Sequence, residues 1–371
     1  MSSSVSESTF RSRLDRARAE MARTGVDALI LSLGHDMPYL TGYLAMPLER
    51  LTMLVVPREG DASLIIPRLE APRVTEMPSV FSLATWNETD DPVALAHKLL
   101  GSARTIAVGD QMWSRFLVDL LKFRPDAKYV RSVVVMEALR SRKDAAEIAA
   151  LVAAGAAADR VAAQLHAGDI PLVGRTEAQV SADISARLLA EGHQVVNFAI
   201  VAAGENAASP HHHAGDRVIK HGEIVLCDFG GTMNDYCSDI TRCVHIGEPP
   251  SDIAEAYSVL FESQAAGVAA GLIGSSCAGV DAASRGVIDA AGFGEWFVHR
   301  TGHGIGMEAH EDPYMVAGND TPIAVGHAYS VEPGIYIPGK WGMRLEDIVV
   351  ATASGPQPVN HTNHHLILLD R

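Results

Sequence analysis

Residues 223–247 read EIVLCDFGGTMNDYCSDITRCVHIG. Two apolar, strand-like runs lie here, and each carries one carboxylate: Asp228 directly after Ile224–Cys227, and Asp239 eleven residues later. A carboxylate inside such a run is costly to bury unless it is paired or bound to a cation. A hairpin near Gly231–Asn234 would bring the two together, because glycine and asparagine are turn formers. Each aspartate could instead be structural, paired for example with Arg242.

Upstream, residues 137–165 form one alanine-rich helical pattern, and its charged segment RSRKD (140–144) reads as a domain hinge. Further helices are expected over Thr176–Glu191, Ile253–Ala270 and Val280–Ala291, with a strand over VVNFAIVAAG (195–204). Helices followed by long, antiparallel-looking strands predict an α+β domain over residues 138–371 rather than a doubly wound sheet. Residues 1–137 read as a separate, mixed α/β domain. Its helix Thr9–Thr24 stops at Gly25, and strands follow at VDALILS (26–32), LTMLVVP (51–57), ASLIIP (62–67) and TIAVGD (105–110). A helix over Met112–Phe123 and a last strand, YVRSVVV (129–135), complete it. This first domain has no glycine fingerprint for a dinucleotide and no phosphate-binding loop. Two domains suit a chain of 371 residues. A repeat period of about 20 to 50 residues is absent, which argues against a solenoid.

Thirty basic against 45 acidic residues leave a net charge of −15 with histidine neutral. That balance argues against nucleic acid or an anionic membrane surface as a partner. Four cysteines without a CxxC pair make no disulfide framework, and they read as small buried hydrophobes. The amino terminus lacks the apolar run of a secretory signal. No window approaches the roughly 18 apolar residues needed to cross a bilayer, so a cytoplasmic protein is expected.

The carboxyl third carries four more unusual residues. In TGHGIGMEAHE (301–311), His303 stands between two glycines, where the backbone is free to approach a ligand, and His310 follows seven residues on. VEPGIY (331–336) places Glu332 after an apolar run, and MRLEDIVV (343–350) places Glu346 in another, with Arg344 as the obvious partner if its role is only structural. Asp228, Asp239, His303, Glu332 and Glu346 together offer oxygen donors and one imidazole, a set for Mn²⁺, Fe²⁺ or Co²⁺ rather than for a closed, thiolate-rich zinc site. There are enough carboxylates to bridge two ions, the arrangement that activates a water and holds a substrate oxygen.

Over about Arg140 to Leu369 these motifs resemble, in order and spacing, the creatinase-like or pita-bread metallopeptidases of family M24. Within that family the resemblance is to the Xaa-Pro dipeptidases (prolidases) and Xaa-Pro aminopeptidases, whose proline-specific branch also carries a smaller amino-terminal domain. Creatinase shares the fold but lacks the metal ligands; all five positions are filled here. The resemblance implies two divalent ions per subunit, Mn²⁺ first, with Co²⁺, Fe²⁺ or Zn²⁺ as alternatives. Asp228 would chelate one ion, Asp239 and Glu346 would bridge both, and His303 with Glu332 would complete the second. A bridging water or hydroxide would attack the peptide carbonyl, with Glu332 passing its proton to the leaving amine.

In SPHHHAGD (209–216) the family pattern points to His211, leaving His212 and His213 as loop residues. His211 and His310 would contact the substrate and stabilise the developing oxyanion. His299 would line the same pocket, and Arg344 and Tyr336 would orient the carboxylates. Some prolidases have an arginine shortly after the histidine-glutamate segment, where HEDPYMVAGN (310–319) has Tyr314 instead. Dipeptidase and aminopeptidase both stay open on that ground. The implied substrate is a peptide with proline in second position, and the implied assembly is a homodimer. The alternatives are a relative acting on a non-peptide small molecule by hydrolase or lyase chemistry and, more remotely, a non-enzymatic binding protein.

Overall fold

The computed structural model describes residues 5–370 and divides into two units, Met1–Arg140 and Ser141–Arg371. In the first, α1 (Glu7–Thr24) is opened by the Ser6 hydroxyl, which accepts from the Thr9 N–H, and closed by Gly25 at φ 71°. Its buried stripe, Phe10, Leu14, Ala17 and Met21, has helical spacing. The strands β1 (Ala28–Leu31), β2 (Met53–Pro57), β3 (Ser63–Pro67), β4 (Ser82–Trp86), β5 (Thr105–Val108) and β6 (Lys128–Arg131) form one mixed sheet in the order β4-β3-β2-β1-β5-β6. The helices α2 (Asp36–Thr41), α3 (Pro92–Leu99), α4 (Ser114–Phe123) and α5 (Val133–Arg140) complete this unit.

Two expectations are corrected at its end. YVRSVVV is not one strand: β6 stops at Arg131, and Val133 begins α5. Its β-branched residues suit a strand, but Val135, Met136 and Leu139 are buried at helical spacing, and packing overrides propensity. Nor do residues 137–165 form one helix. The Asp144 carboxylate caps the N–H groups of Ala146 and Glu147 while Glu147 returns to the Asp144 N–H, so a second helix starts after α5 has ended.

The second unit opens with that helix, α6 (Ala145–His166), and with α7 (Glu177–Ala190). They pack on a sheet ordered β18-β10-β8-β7, built from β7 (Val195–Ala203), β8 (Ile224–Met233), β10 (Ile240–Ile246) and β18 (Ile367–Leu369). The short β9 (Tyr236–Cys237) folds back on β8. The hairpin turn lies at Asn234 and Asp235, φ 51° and 69°, slightly beyond the position expected from the glycines. A second pair, α8 (Ser251–Ala270) and α9 (Cys277–Ala290), accompanies β11 (Gly302–Gly304), β12 (Glu311–Met315), β13 (Ala328–Val331), β16 (Asp347–Thr352) and β17 (Gly355–Pro358), which form a sheet ordered β12-β11-β13-β16-β17. Between β13 and β16, β14 (Gly334–Ile337) and β15 (Trp341–Arg344) pair as a ribbon.

The two halves of this unit repeat each other. Gly174 N–H donates to Ile219 O and Ile219 N–H to Arg175 O, and Gly274, Ile323 and Ser275 make the same exchange before α9. The α+β expectation therefore holds, with two similar α/β halves joined at their strands. One expectation fails: α6 reaches a mean hydropathy of 1.4, long and apolar enough by composition to cross a membrane. Alanine supplies much of that value, and Ala158, Val161, Ala162 and Leu165 bury themselves against the β18-β10-β8-β7 sheet, as a core helix does.

Candidate metal centre

The five candidate ligands come from five separate places. Asp228 stands within β8, opposite Ile200 of β7 and Thr241 of β10. Asp239 lies between β9 and β10, His303 in β11, Glu332 just after β13, and Glu346 between β15 and β16. All five line one cavity of about 1070 Å³, together with His211, His299, Arg300, His310 and Arg344. Gly302 and Gly304 serve packing rather than ligand approach: a Cβ at Gly302 would stand 1.9 Å from Ser330 O, and one at Gly304 would stand 2.4 Å from Asp312 O. Their absence of side chains lets β11 lie close to both neighbours, which fixes His303.

Asp239, His303 and Glu346 place one donor atom each within 4.8 Å of one another, and all three are buried. His303 Nδ1 faces the Gly304 carbonyl at 3.0 Å, which can only accept, so that nitrogen carries the proton. Burial pushes His303 down to about 4, so the ring is neutral and its Nε2 is a bare lone pair. That lone pair faces Glu332 Oε1 at 3.2 Å and Asp239 Oδ2 at 3.7 Å. A proton taken up by a carboxylate would relieve this repulsion, and so would a cation between the three groups.

The carboxylates agree. Burial, then the neighbouring charges of Glu346, Asp228 and Glu332, push the Asp239 carboxyl well above its usual range; burial followed by Glu332 and Asp228 does the same to Glu346. Among the described residues, the buried Oδ1 atoms of Asp228 and Asp239 have no hydrogen-bond partner. An oxygen-rich set with one imidazole, orphaned acceptors and mutually repelling carboxylates fits a divalent cation of the Mn²⁺, Fe²⁺ or Co²⁺ kind.

A second layer holds these groups in place. Arg344 donates to Asp228 Oδ2, to the Tyr336 hydroxyl at 2.8 Å and to the Thr241 hydroxyl at 3.1 Å. Thr241 Oγ1 in turn donates to Glu346 Oε2 at 2.6 Å. Ser330 Oγ accepts the His303 N–H at 3.0 Å and donates to Glu332 Oε1 at 2.9 Å. The structural partners considered from sequence are thus exchanged. Asp228 pairs with Arg344, while Arg242 pairs with Asp347 at 2.7 Å, and Glu346 bonds Thr241 rather than Arg344.

The other histidines fall into distinct states. His299 Nδ1 donates to Arg300 O at 2.7 Å, and its Nε2 accepts from the Tyr336 hydroxyl at 2.8 Å. Tyr336 does not line the cavity itself; it links His299 to Arg344. His310 stacks on His303 with centroids 3.9 Å apart. An arginine can only donate, so the 3.3 Å contact from Arg300 Nη2 makes His310 Nδ1 an acceptor and leaves the proton on Nε2. Burial above all pushes His310 down to about 4 and keeps it neutral. His211 reaches the cavity from an exposed loop. His212 is more than a loop residue, since its Nε2 meets the fully buried Glu177 at 2.7 Å. Glu177 also binds the Ala203 N–H and Asn206, tying the loop to α7.

Residues 143–353 match the model for metallopeptidase family M24, and residues 13–142 match the creatinase/prolidase N-terminal domain. A probable dipeptidase PepE of Mycobacterium tuberculosis is 44% identical over 368 residues, covering 97% of this chain and 96% of the relative. Among solved structures, dipeptidase PepE from Mycobacterium ulcerans superposes with a TM-score of 0.94 at 43% identity, over 98% of this chain and 99% of the other. A recombinant prolidase from Thermococcus sibiricus superposes with a TM-score of 0.91 at 30% identity, over 97% and 99%.

Proposed function

This chain belongs to metallopeptidase family M24, and within that activity we propose that it hydrolyses the bond between an amino-terminal residue and proline with two divalent ions, Mn²⁺ first. The observation that carries this reading is the bare His303 Nε2 facing two carboxylates 3.2 and 3.7 Å away. Asp228 would hold one ion, Asp239 and Glu346 would share both, and His303 with Glu332 would hold the other. When bound, divalent ions supply Lewis acidity here, acidifying a water and polarising a carbonyl. Glu332 is half-buried and oriented by Ser330, so its carboxylate is placed to take a proton and pass it to the leaving nitrogen. His310, held as the Nε2–H tautomer, offers a fixed donor to an oxyanion, and His211 faces it from the loop.

An Xaa-Pro bond has no N–H, so its pocket needs no acceptor for one. The apolar side chains of Phe198 and Ile200 on the cavity wall offer that kind of surface, and the likeness to a prolidase supports the same specificity. The test is hydrolysis of matched Xaa-Pro and Xaa-Ala dipeptides with added Mn²⁺, then after chelation. Chelator-sensitive cleavage favouring Xaa-Pro is expected. Equal cleavage of Xaa-Ala contradicts the proline specificity, and activity that survives chelation contradicts the metal requirement.

A further inference from the structure

The cavity wall carries four carboxylates and six histidines, and only two of its lining residues carry a fixed positive charge, Arg344 and Arg300. Arg344 is buried and fully engaged by Asp228, Tyr336 and Thr241. Arg300 differs. It is half-buried, and among the described residues it makes no ion pair. Its guanidinium lies 4.3 Å above the Tyr314 ring, which fixes its plane, while one nitrogen reaches His310. A guanidinium has five N–H donors. The His310 contact uses one, and the others are free to meet an anion in the two-pronged geometry that suits a carboxylate.

The order of groups across the cavity limits which carboxylate that is. His303 belongs to the metal cluster, His310 stacks on it, and Arg300 stands directly beyond His310. In a dipeptide the terminal carboxylate carbon is three bonds from the scissile carbonyl carbon, so the two groups must be recognised by neighbouring residues. A longer peptide continues as an amide at that point and presents no charge there.

We infer that Arg300 is the specificity residue that receives a carboxylate of the substrate, the terminal carboxylate of a dipeptide, and so makes this site a dipeptidase. The inference rests on the peptidase reading above. The chemistry it needs is a carboxylate, which an acidic amino-terminal residue could also supply, and the test separates the two sources.

The experiment measures kcat/KM with Mn²⁺ for Ala-Pro, for its carboxamide Ala-Pro-NH₂ and for Asp-Pro-NH₂, in the native enzyme and in Arg300→Gln and Arg300→Lys. The ratio of Ala-Pro to Ala-Pro-NH₂ is the readout, because any loss of His310 orientation affects both substrates and cancels. A bidentate, charge-assisted contact predicts a ratio of about 10 to 100 in the native enzyme, expressed mainly in KM. The ratio should fall toward one in Arg300→Gln and be partly restored in Arg300→Lys. A ratio unchanged in Arg300→Gln overturns the inference. A preference for Asp-Pro-NH₂ over Ala-Pro-NH₂ that vanishes in Arg300→Gln, with the Ala-Pro ratio unmoved, assigns Arg300 to a side-chain carboxylate and overturns the terminal one. If the native enzyme cleaves neither Ala-Pro nor Ala-Pro-NH₂, the peptidase reading itself fails and this inference with it.

Discussion

Thr241 Oγ1 donates a 2.6 Å hydrogen bond to Glu346 Oε2, joining β10 to the turn between β15 and β16 across 105 residues of sequence. The same hydroxyl accepts from Arg344 Nε at 3.1 Å, so one fully buried oxygen sets the angle of a carboxylate and of the guanidinium that grips Asp228.

Thr241→Val keeps the shape and removes that oxygen. It leaves the buried Arg344 Nε–H without its acceptor, at a cost of about 1–3 kcal/mol, and frees the Glu346 carboxylate to rotate. Because partners of metal ligands tune affinity, Mn²⁺ binding should weaken by about 10- to 100-fold. Calorimetric titration of the metal-free variant checks this; native affinity would show that Glu346 needs no such anchor.

Behind the centre, Arg242 and Asp347 are both fully buried, and their 2.7 Å ion pair also braces the backbone carbonyls of Thr241 and Glu346, which Arg242 Nη1 binds at 2.9 and 2.6 Å. Asp347→Ala strands a buried guanidinium and should destabilise the fold by about 3–5 kcal/mol. Denaturant unfolding measures it. A loss below 1 kcal/mol, on the order expected of exposed ion pairs, would mean that the pair is not sequestered as described.

Stability should also fall on the acid side. The buried His327 ring accepts the Ala324 N–H at Nδ1, 3.3 Å away, and burial, then Lys143 and Arg142, push it down to about 4 from 6.5. His166 is likewise pushed down to about 4, by burial first. The folded-state values lie below the unfolded ones, so between pH 6.5 and 4 the unfolded chain binds more protons. Stability is therefore full above that window and declines through it as pH drops. Melting temperature against pH should show a shallower decline in His327→Gln than in the native protein; parallel curves would remove His327 from the account.

Much of the candidate centre stands out in the sequence for one physical reason: a carboxylate within an apolar run is anomalous, and Asp228, Asp239 and Glu346 are of that kind, although only Asp228 lies inside a strand while Asp239 and Glu346 sit just before β10 and β16. The residues that orient them do not. Thr241 is an ordinary β-branched residue in a β-branched run, and Ser330 is a small polar residue in a buried strand; only pairing across sheets reveals what they hold. Arg300 meets Tyr314 because β11 and β12 pair, with Gly302 opposite Met315, and no local spacing encodes that contact. In the fold, YVRSVVV misleads because β propensity and helical burial compete in the same residues. The break before α6 is written in Asp144 and Glu147, but the alanine-rich pattern continues across it.

We propose that these side chains hold divalent ions in pairs, with Asp239 shared between them. The most direct test is the metal content of native protein and of Asp239→Ala after loading with Mn²⁺ and desalting, measured by elemental analysis beside circular dichroism and Xaa-Pro hydrolysis. Two ions per native chain are expected, with loss of at least one ion and of turnover in a variant that stays folded. Native metal content and near-native turnover in Asp239→Ala would contradict the account.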